Sequence, residues 1–152
     1  MSMKLTYIYR GSVKPPDIYE KFTAKVIDIM KKMFVLPDTI EVQFEDMGPS
    51  VYGMTVLDPR FPNRIRINQD LSLEEYLLPL THELLHLHQM FTNRLQSRPG
   101  GRILWDKQPY KVNMMTMSYN EYQQLPWELD VAEKQQKLLK LLQENNRKLK
   151  VR

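Results

Sequence analysis

The amino-acid sequence predicts an α+β fold, in which a small, mainly antiparallel sheet packs on a helix that carries the histidines. Apolar residues recur at three- and four-residue steps on either side of residues 39–68, while short segments within 39–68 alternate between apolar and polar residues. The chain has 152 residues, 42% hydrophobic and 26% charged, as is ordinary for one globular domain. We therefore expect residues 1–152 to form one domain.

The first part of the chain predicts a strand and then an amphipathic helix. Residues 4–9 alternate loosely between polar and apolar side chains, which is compatible with a short strand. From Asp17 to Phe34 the apolar residues follow helical spacing, so we expect a helix that Pro37 and Asp38 end. Its buried stripe consists of Ile18, Phe22, Val26, Ile29 and Met33.

Three strands are predicted next, at residues 39–45, 51–57 and 64–68. The first alternates regularly between apolar and polar side chains, as a half-buried strand does. The second is weaker because it contains Gly53, and the third turns two isoleucines inward. Short connections rich in proline and glycine separate these strands, so we expect antiparallel neighbours.

The histidines lie on the helix that follows Ser72. Ser72 and Glu75 have the spacing of a capping box, which marks a helix start. Pro79 lacks the backbone donor that a helix interior needs, so the helix either kinks there or begins again there.

The rest of the chain predicts a loop, a hairpin and a last helix. The sequence SRPGG at residues 97–101 predicts a loop, and residues 102–112 could form a hairpin. We expect the last helix from Pro126 to about Arg147, with an apolar stripe that leucines continue.

Composition narrows the possible functions. The chain has no cysteine, which excludes thiolate zinc sites, disulfides and thiol nucleophiles. The first residues contain no apolar run long enough for a signal peptide or a membrane-spanning helix, so we expect a soluble, cytoplasmic protein without a membrane partner. Much of the formal charge of +4 lies in the C-terminal NNRKLKVR, which is typical of a solvated helix end. No aromatic residues are interleaved there, so nucleic-acid binding is not expected.

All three histidines fall between residues 82 and 88. His82 and His86 are four residues apart, so on a helix both imidazoles lie on one face and can converge on one ion. His88 lies roughly 200° around the helix from His86, which predicts a packing or surface role. Glu83 completes a His-Glu-x-x-His pattern, in which the carboxylate lies near the ion without binding it and can take a proton from water.

The third metal ligand must be an oxygen, because the chain has no further histidine. Thr92 stands where both metzincin-type enzymes and the rRNA-maturation endoribonucleases have a third histidine, and Gln89 replaces the metzincin glycine. Zinc commonly accepts two histidines and one carboxylate and leaves one position for water. The candidate carboxylates after the motif are Asp106, Glu121, Glu128, Asp130 and Glu133.

Two motifs together resemble the gluzincins, the thermolysin-like class, and in particular small metallopeptidase domains of phage and bacterial genomes. The first motif is HELLHLHQ at residues 82–89, and the second is YQQLPWELDVA at 122–132. The segment 105–110 is similar to the hairpin between them, and the resemblance covers roughly residues 65–135. It implies a minimal zincin-like domain in the cytoplasm of a bacterium or a phage-infected host.

The resemblance also implies that Glu128 is the third ligand of one Zn²⁺ ion. The residues agree, since Pro126 places Glu128 in the first turn of a helix, where the dipole favours a carboxylate. Ala132 lies four residues on, and its small side chain would let two helices approach closely. Thermolysin-like enzymes have an aspartate there that orients a histidine, so here that partner must come from elsewhere, and the candidates are Asp130, Glu121 and a backbone carbonyl.

The sequence therefore predicts a zinc-dependent metallopeptidase that hydrolyses peptide or protein substrates by a metal-activated water, with Glu83 as general base. Tyr110, Tyr119 and Tyr122 are candidate donors to the oxyanion. An extended substrate could pair with the strand at 51–57 or with that at 64–68. Two alternatives stay open: a metal-dependent endoribonuclease of similar size, and a non-catalytic zinc-binding interaction module.

Overall fold

The computed structural model describes residues 4–11, 14–55, 60–113 and 116–144. The first sheet has four strands: β1 (Lys4–Tyr9), β2 (Thr39–Glu45), β3 (Gly53–Thr55) and β4 (Arg64–Asn68). The helices are α1 (Asp17–Met30), α2 (Leu73–Phe91), α3 (Tyr119–Gln123) and α4 (Pro126–Glu144). The second sheet has three strands: β5 (Leu95–Arg98), β6 (Arg102–Trp105) and β7 (Gln108–Lys111). The α+β class is confirmed.

The four-stranded sheet is mixed, with the strand order β1-β2-β4-β3. The expected antiparallel pairing is correct for β3 and β4, but β2 pairs in parallel with both β1 and β4. Helix α1 connects β1 to β2, and a parallel pair requires a crossover of that kind. Strand β3 lies at the edge, so β4 enters the sheet between β3 and β2. The predicted residues 56 and 57 of the second strand lie outside the described part of the chain.

The main core lies between this sheet and helices α1, α2 and α4. Tyr76 is its largest fully buried side chain, and Phe44 of β2 packs against it with ring centroids 5.9 Å apart. Helix α1 ends at Met30 instead of Phe34, because Lys31–Met33 form a turn. Met33, predicted in the buried stripe, is 42% exposed as a result.

Helix α2 is continuous through the core. Ser72 and Glu75 form the predicted capping box, in which each side chain binds the other residue's backbone N–H. The helix does not begin again at Pro79, which lies buried within it. Tertiary packing of α2 therefore outweighs the loss of one backbone hydrogen bond at that residue.

The second sheet is an antiparallel meander in the order β5-β6-β7. The predicted hairpin is confirmed by β6 and β7, whose turn residues Asp106 and Lys107 both have positive φ. The predicted loop at 97–101 is too long, because Ser97 and Arg98 belong to β5.

Helix α4 begins at Pro126, as predicted, and is described as far as Glu144, so the predicted residues 145–147 lie outside the description. Its buried stripe brings it against α2. Within the described ranges, no helix has the length and apolar character needed to cross a membrane.

Candidate metal centre

Two histidines and one glutamate meet where α2 packs on the start of α4. The rings of His82 and His86 lie 4.8 Å apart between centroids, one helical turn from each other. Glu128, in the first turn of α4, approaches both: its Oε1 lies 3.1 Å from Nε2 of His82, and its Oε2 lies 2.8 Å from Nε2 of His86. One ligand atom from each residue lies within 4.8 Å of the others, so the three could hold one metal ion.

The group is buried enough for its charges to interact strongly. Burial alone would raise the pKa of Glu128, but hydrogen bonds and charge from His82 and His86 outweigh it and lower that pKa to about 2. Burial would likewise lower the pKa of His86, yet its contact with Glu128 prevails and raises it. Without a metal, His86 and Glu128 therefore favour an ion pair.

The donor set fits a divalent metal such as zinc. Two imidazole nitrogens and one carboxylate oxygen are the ligands of many zinc sites that keep a position open. His86 and Glu128 line a cavity of about 520 Å³, and the side chain of His82 is 32% exposed. A fourth position would therefore be accessible to water or to a substrate.

Gln89 fixes the orientation of the His86 ring. Its side-chain nitrogen donates to the carbonyl oxygen of Trp127 and to Oδ2 of Asp130, both at 2.9 Å. Its Oε1 therefore faces His86 and accepts the Nδ1–H at 2.9 Å, which leaves Nε2 directed at Glu128. Asp130 in turn accepts a hydrogen bond from Nζ of Lys134 at 3.0 Å. Lys134, Asp130, Gln89 and His86 are therefore linked by successive hydrogen bonds.

This arrangement was only partly predictable. Asp130 and a backbone carbonyl were candidates for the partner of a histidine, and both act here through the amide of Gln89. Gln89 itself was missed, although it lies three residues after His86 and so on the same face of α2. The role expected of Ala132 is wrong, because Ala132 is exposed. The face of α4 toward α2 instead contains Val131 and Gln135, the latter bonded to the Leu78 carbonyl.

Glu83 lines the same cavity as His86 and Glu128 and is 6% exposed. It is not part of the three-residue ligand group. Strand β3 passes directly over it: a Cβ added to Gly53 would lie 3.1 Å from both Cγ and Oε2 of Glu83. A residue without a side chain at position 53 thus leaves room for the carboxylate beside the histidines.

The three candidate tyrosines lie in different environments. Tyr122 lines the cavity, and its pKa is raised by burial and then by the charges of Glu128 and Glu83, with a hydrogen bond to Glu128 adding to the shift. Tyr110 instead packs edge-on against Trp127, with ring centroids 5.7 Å apart. Tyr119 is 73% exposed. Only Tyr122 of these three borders the ligand group.

Tyr122 is positioned by α3, a short helix that was not predicted. A capping box of Ser118 and Glu121 begins it, and the spacing Ser-x-x-Glu in the sequence could have revealed it. Glu121 is thereby committed to capping its own helix.

The other candidate carboxylates and the third histidine lie outside the ligand group. Asp106 pairs with Arg94 at 2.8 Å, and the exposed Glu133 lies 3.9 Å from Lys137. His88 donates from Nδ1 to the Val35 carbonyl at 2.7 Å, in agreement with its predicted packing role.

No protein-family model, curated protein or solved structure matches the chain. Its function must therefore be inferred from the chemistry of the ligand group and the cavity.

Replacing Gln89 by leucine is expected to weaken metal binding by about 10- to 100-fold, because His86 loses the partner that orients it. The affinity would be measured by competition with a chelator. Gln135→Leu is the matched control, since Gln135 also joins α4 to α2 but does not touch a histidine. Unchanged affinity in Gln89→Leu, or an equal loss in both variants, would contradict the role of Gln89.

Metal binding is expected to release protons, because His86 must lose one before it can bind a metal. The pKa of His86 is raised, so its Nε2 carries a proton below that pKa and must lose it to bind a metal. Affinity should therefore fall as pH is lowered, and the fall should begin above the ordinary histidine pKa of about 6.5. Calorimetry at pH 7 in two buffers of different ionisation enthalpy counts the protons. Zero release would show the expectation to be wrong, and His88→Ala should leave the count unchanged.

Proposed function

We propose that this protein is a zinc-dependent metallopeptidase of the gluzincin-like type, with His82, His86 and Glu128 as the metal ligands. One observation carries the proposal. A second buried carboxylate, Glu83, lines the cavity beside the ligand group without belonging to it. A site that only held a metal would not need this carboxylate, whereas hydrolysis needs a base at that position.

Zinc bound there would supply Lewis acidity to a water molecule and to the scissile carbonyl group. Glu83 accepts a proton from the attacking water while the oxygen of that water bonds to the carbonyl carbon. Glu83 then returns that proton to the amide nitrogen while the carbon–nitrogen bond breaks, which yields a carboxylate and an amine. The buried position of Glu83 beside Gly53 keeps its carboxylate directed at the cavity.

Tyr122 supplies a hydroxyl donor to the carbonyl oxygen, on which negative charge develops during the attack. Its place in the cavity lining next to Glu128 supports this assignment. A tyrosine hydroxyl has an ordinary pKa of about 10 and is therefore protonated at neutral pH, as a donor must be. Neither Tyr110, which packs on Trp127, nor the exposed Tyr119 is among the residues that line the cavity.

An extended peptide substrate would pair with β3. Strand β4 is hydrogen-bonded on both sides, to β2 and to β3, whereas β3 pairs on one side alone among the strands that the structure describes. Gly53 and Met54 of β3 also line the cavity. A peptide added at this edge would therefore pass over the ligand group and Glu83.

The cavity favours a peptide over RNA. Among the residues that the structure describes, its lining includes Glu83 and Glu128 but neither lysine nor arginine, so no described basic side chain there would neutralise phosphates. The hydroxyl of Thr92 donates to the His88 carbonyl at 2.8 Å at the end of α2, and thus belongs to the helix cap. The endoribonuclease alternative has little to support it.

The test compares wild type with Glu83→Gln, which keeps the shape of the side chain and removes its basicity. Both should bind one zinc ion, and hydrolysis of a mixture of unstructured peptides should fall by about 10²- to 10⁴-fold in the variant. Glu74→Gln is the matched control, an exposed glutamate on the same helix that should keep full activity.

Equal hydrolysis by wild type and Glu83→Gln, with zinc retained, would contradict the proposal. Zinc binding by the wild type without peptide hydrolysis would favour the interaction module, and cleavage of structured RNA would favour the endoribonuclease.

A further inference from the structure

The cavity beside the ligand group has a much larger volume than is needed to hold a metal ion and a water molecule. Its volume is about 520 Å³, within the range of about 300–1,000 Å³ that is usual for ligand sites. Among the described lining residues, those with ionisable side chains are His86, Glu83, Glu128 and Tyr122. The other described lining residues are Gly53 and Met54 of β3 and four apolar residues that pack with the second sheet.

Two of the apolar wall residues come from the three-stranded sheet. Leu95 of β5 and Ile103 of β6 line the cavity, and Trp127 and Met90 join them from α4 and α2. These four residues belong to a second hydrophobic cluster, separate from the main core, in which Leu95 and Trp127 are 3% and 4% exposed. Met54 on the edge strand completes the lining and is 46% exposed.

The location of this wall ties it to the scissile bond. Trp127 immediately precedes Glu128 in α4, and the Trp127 carbonyl is held by Gln89, which also orients His86. Trp127, Met90 and Ile103 line the same cavity as His86 and Glu128, so the side chain next to a carbonyl at the ligand group would enter the space that these residues border.

We propose that the three-stranded sheet builds a specificity pocket for one large apolar side chain, aromatic or long aliphatic, of a residue that flanks the scissile bond. The inference rests on the proposed peptidase function and names its substrate class. Burial of such a side chain against this wall is favourable in proportion to its area. An acidic side chain would meet Glu83 and Glu128, and a basic head group would be buried against apolar atoms without a partner.

The first experiment maps cleavage sites of the zinc-loaded wild type in a peptide mixture that varies one residue on either side of the bond. Phenylalanine, leucine or methionine at one flanking position should be preferred over glycine or aspartate by at least about 10-fold. Cleavage without any such preference would overturn the pocket and leave the proposed function standing.

The second experiment moves a charge into the wall. Ile103→Glu is expected to abolish the apolar preference and to favour lysine or arginine at the same flanking position. Val112→Glu is the matched control: Val112 packs on the same cluster but is not part of the cavity lining, so the wild-type preference should persist. An apolar preference unchanged by Ile103→Glu would overturn the assignment.

The third experiment needs neither zinc nor activity, and it remains informative if Ile103→Glu does not fold. Metal-free Glu83→Gln is titrated with N-acetyl-phenylalaninamide and with N-acetyl-aspartamide while tryptophan fluorescence is recorded. Trp127 lines the pocket and Trp105 lies 6.4 Å from it between ring centroids, so both tryptophans report on occupancy. A saturable change with the phenylalanine compound alone supports the pocket even if no peptide is cleaved. Equal responses to both compounds, or none, would overturn it.

Discussion

The contact between α2 and α4 is the interaction on which the described site depends. It sets the carboxylate of Glu128 against two imidazoles that the helical repeat of α2 has already placed on one face. Burying such groups costs free energy unless each is paired. The pairing is provided here by the contacts among these three side chains and by the hydrogen bonds from His86 through Gln89 to Asp130. The helices could not separate without leaving several of these polar atoms unpaired.

The first turn of α4 also lies where the two hydrophobic clusters meet. Trp127 packs in the cluster of the three-stranded sheet, whereas Val131 packs in the main core, with Glu128 between them in the sequence. The position of Glu128 is therefore fixed by packing in both clusters. The main sheet, through Gly53, limits the space around Glu83, and the second sheet shapes the apolar end of the cavity. Each sheet thus contributes a different wall to one cavity.

The part of the site that follows from helical geometry could be predicted from the sequence. His82 and His86 lie on one face because they are four residues apart, and Glu128 lies in a first turn because Pro126 begins a helix. Gln89 could not be assigned in this way, because its role depends on where α4 brings the Trp127 carbonyl and Asp130. The resemblance to thermolysin-like enzymes directed attention to position 132, which is exposed here.

The fold, like the site, could be predicted where it depends on local sequence and not where it depends on distant contacts. Strands β2 and β4 were predicted because apolar and polar side chains alternate along them. This alternation indicates that one face is buried, but it does not indicate the direction of the neighbouring strand. Their parallel pairing depends on β3 occupying the edge, a long-range property. The turn at Lys31–Met33 was missed because Met33 continued the helical spacing by chance.

The most direct test of this account is a crystal structure of the zinc-loaded protein with data collected on both sides of the zinc absorption edge. We expect one anomalous peak per chain, about 2.0–2.2 Å from Nε2 of His82, Nε2 of His86 and a carboxylate oxygen of Glu128. The expected structure keeps Nδ1 of His86 on Gln89. A zinc ion bound elsewhere, or a Glu128 side chain turned away from the two rings with no other acidic group replacing it, would contradict the account.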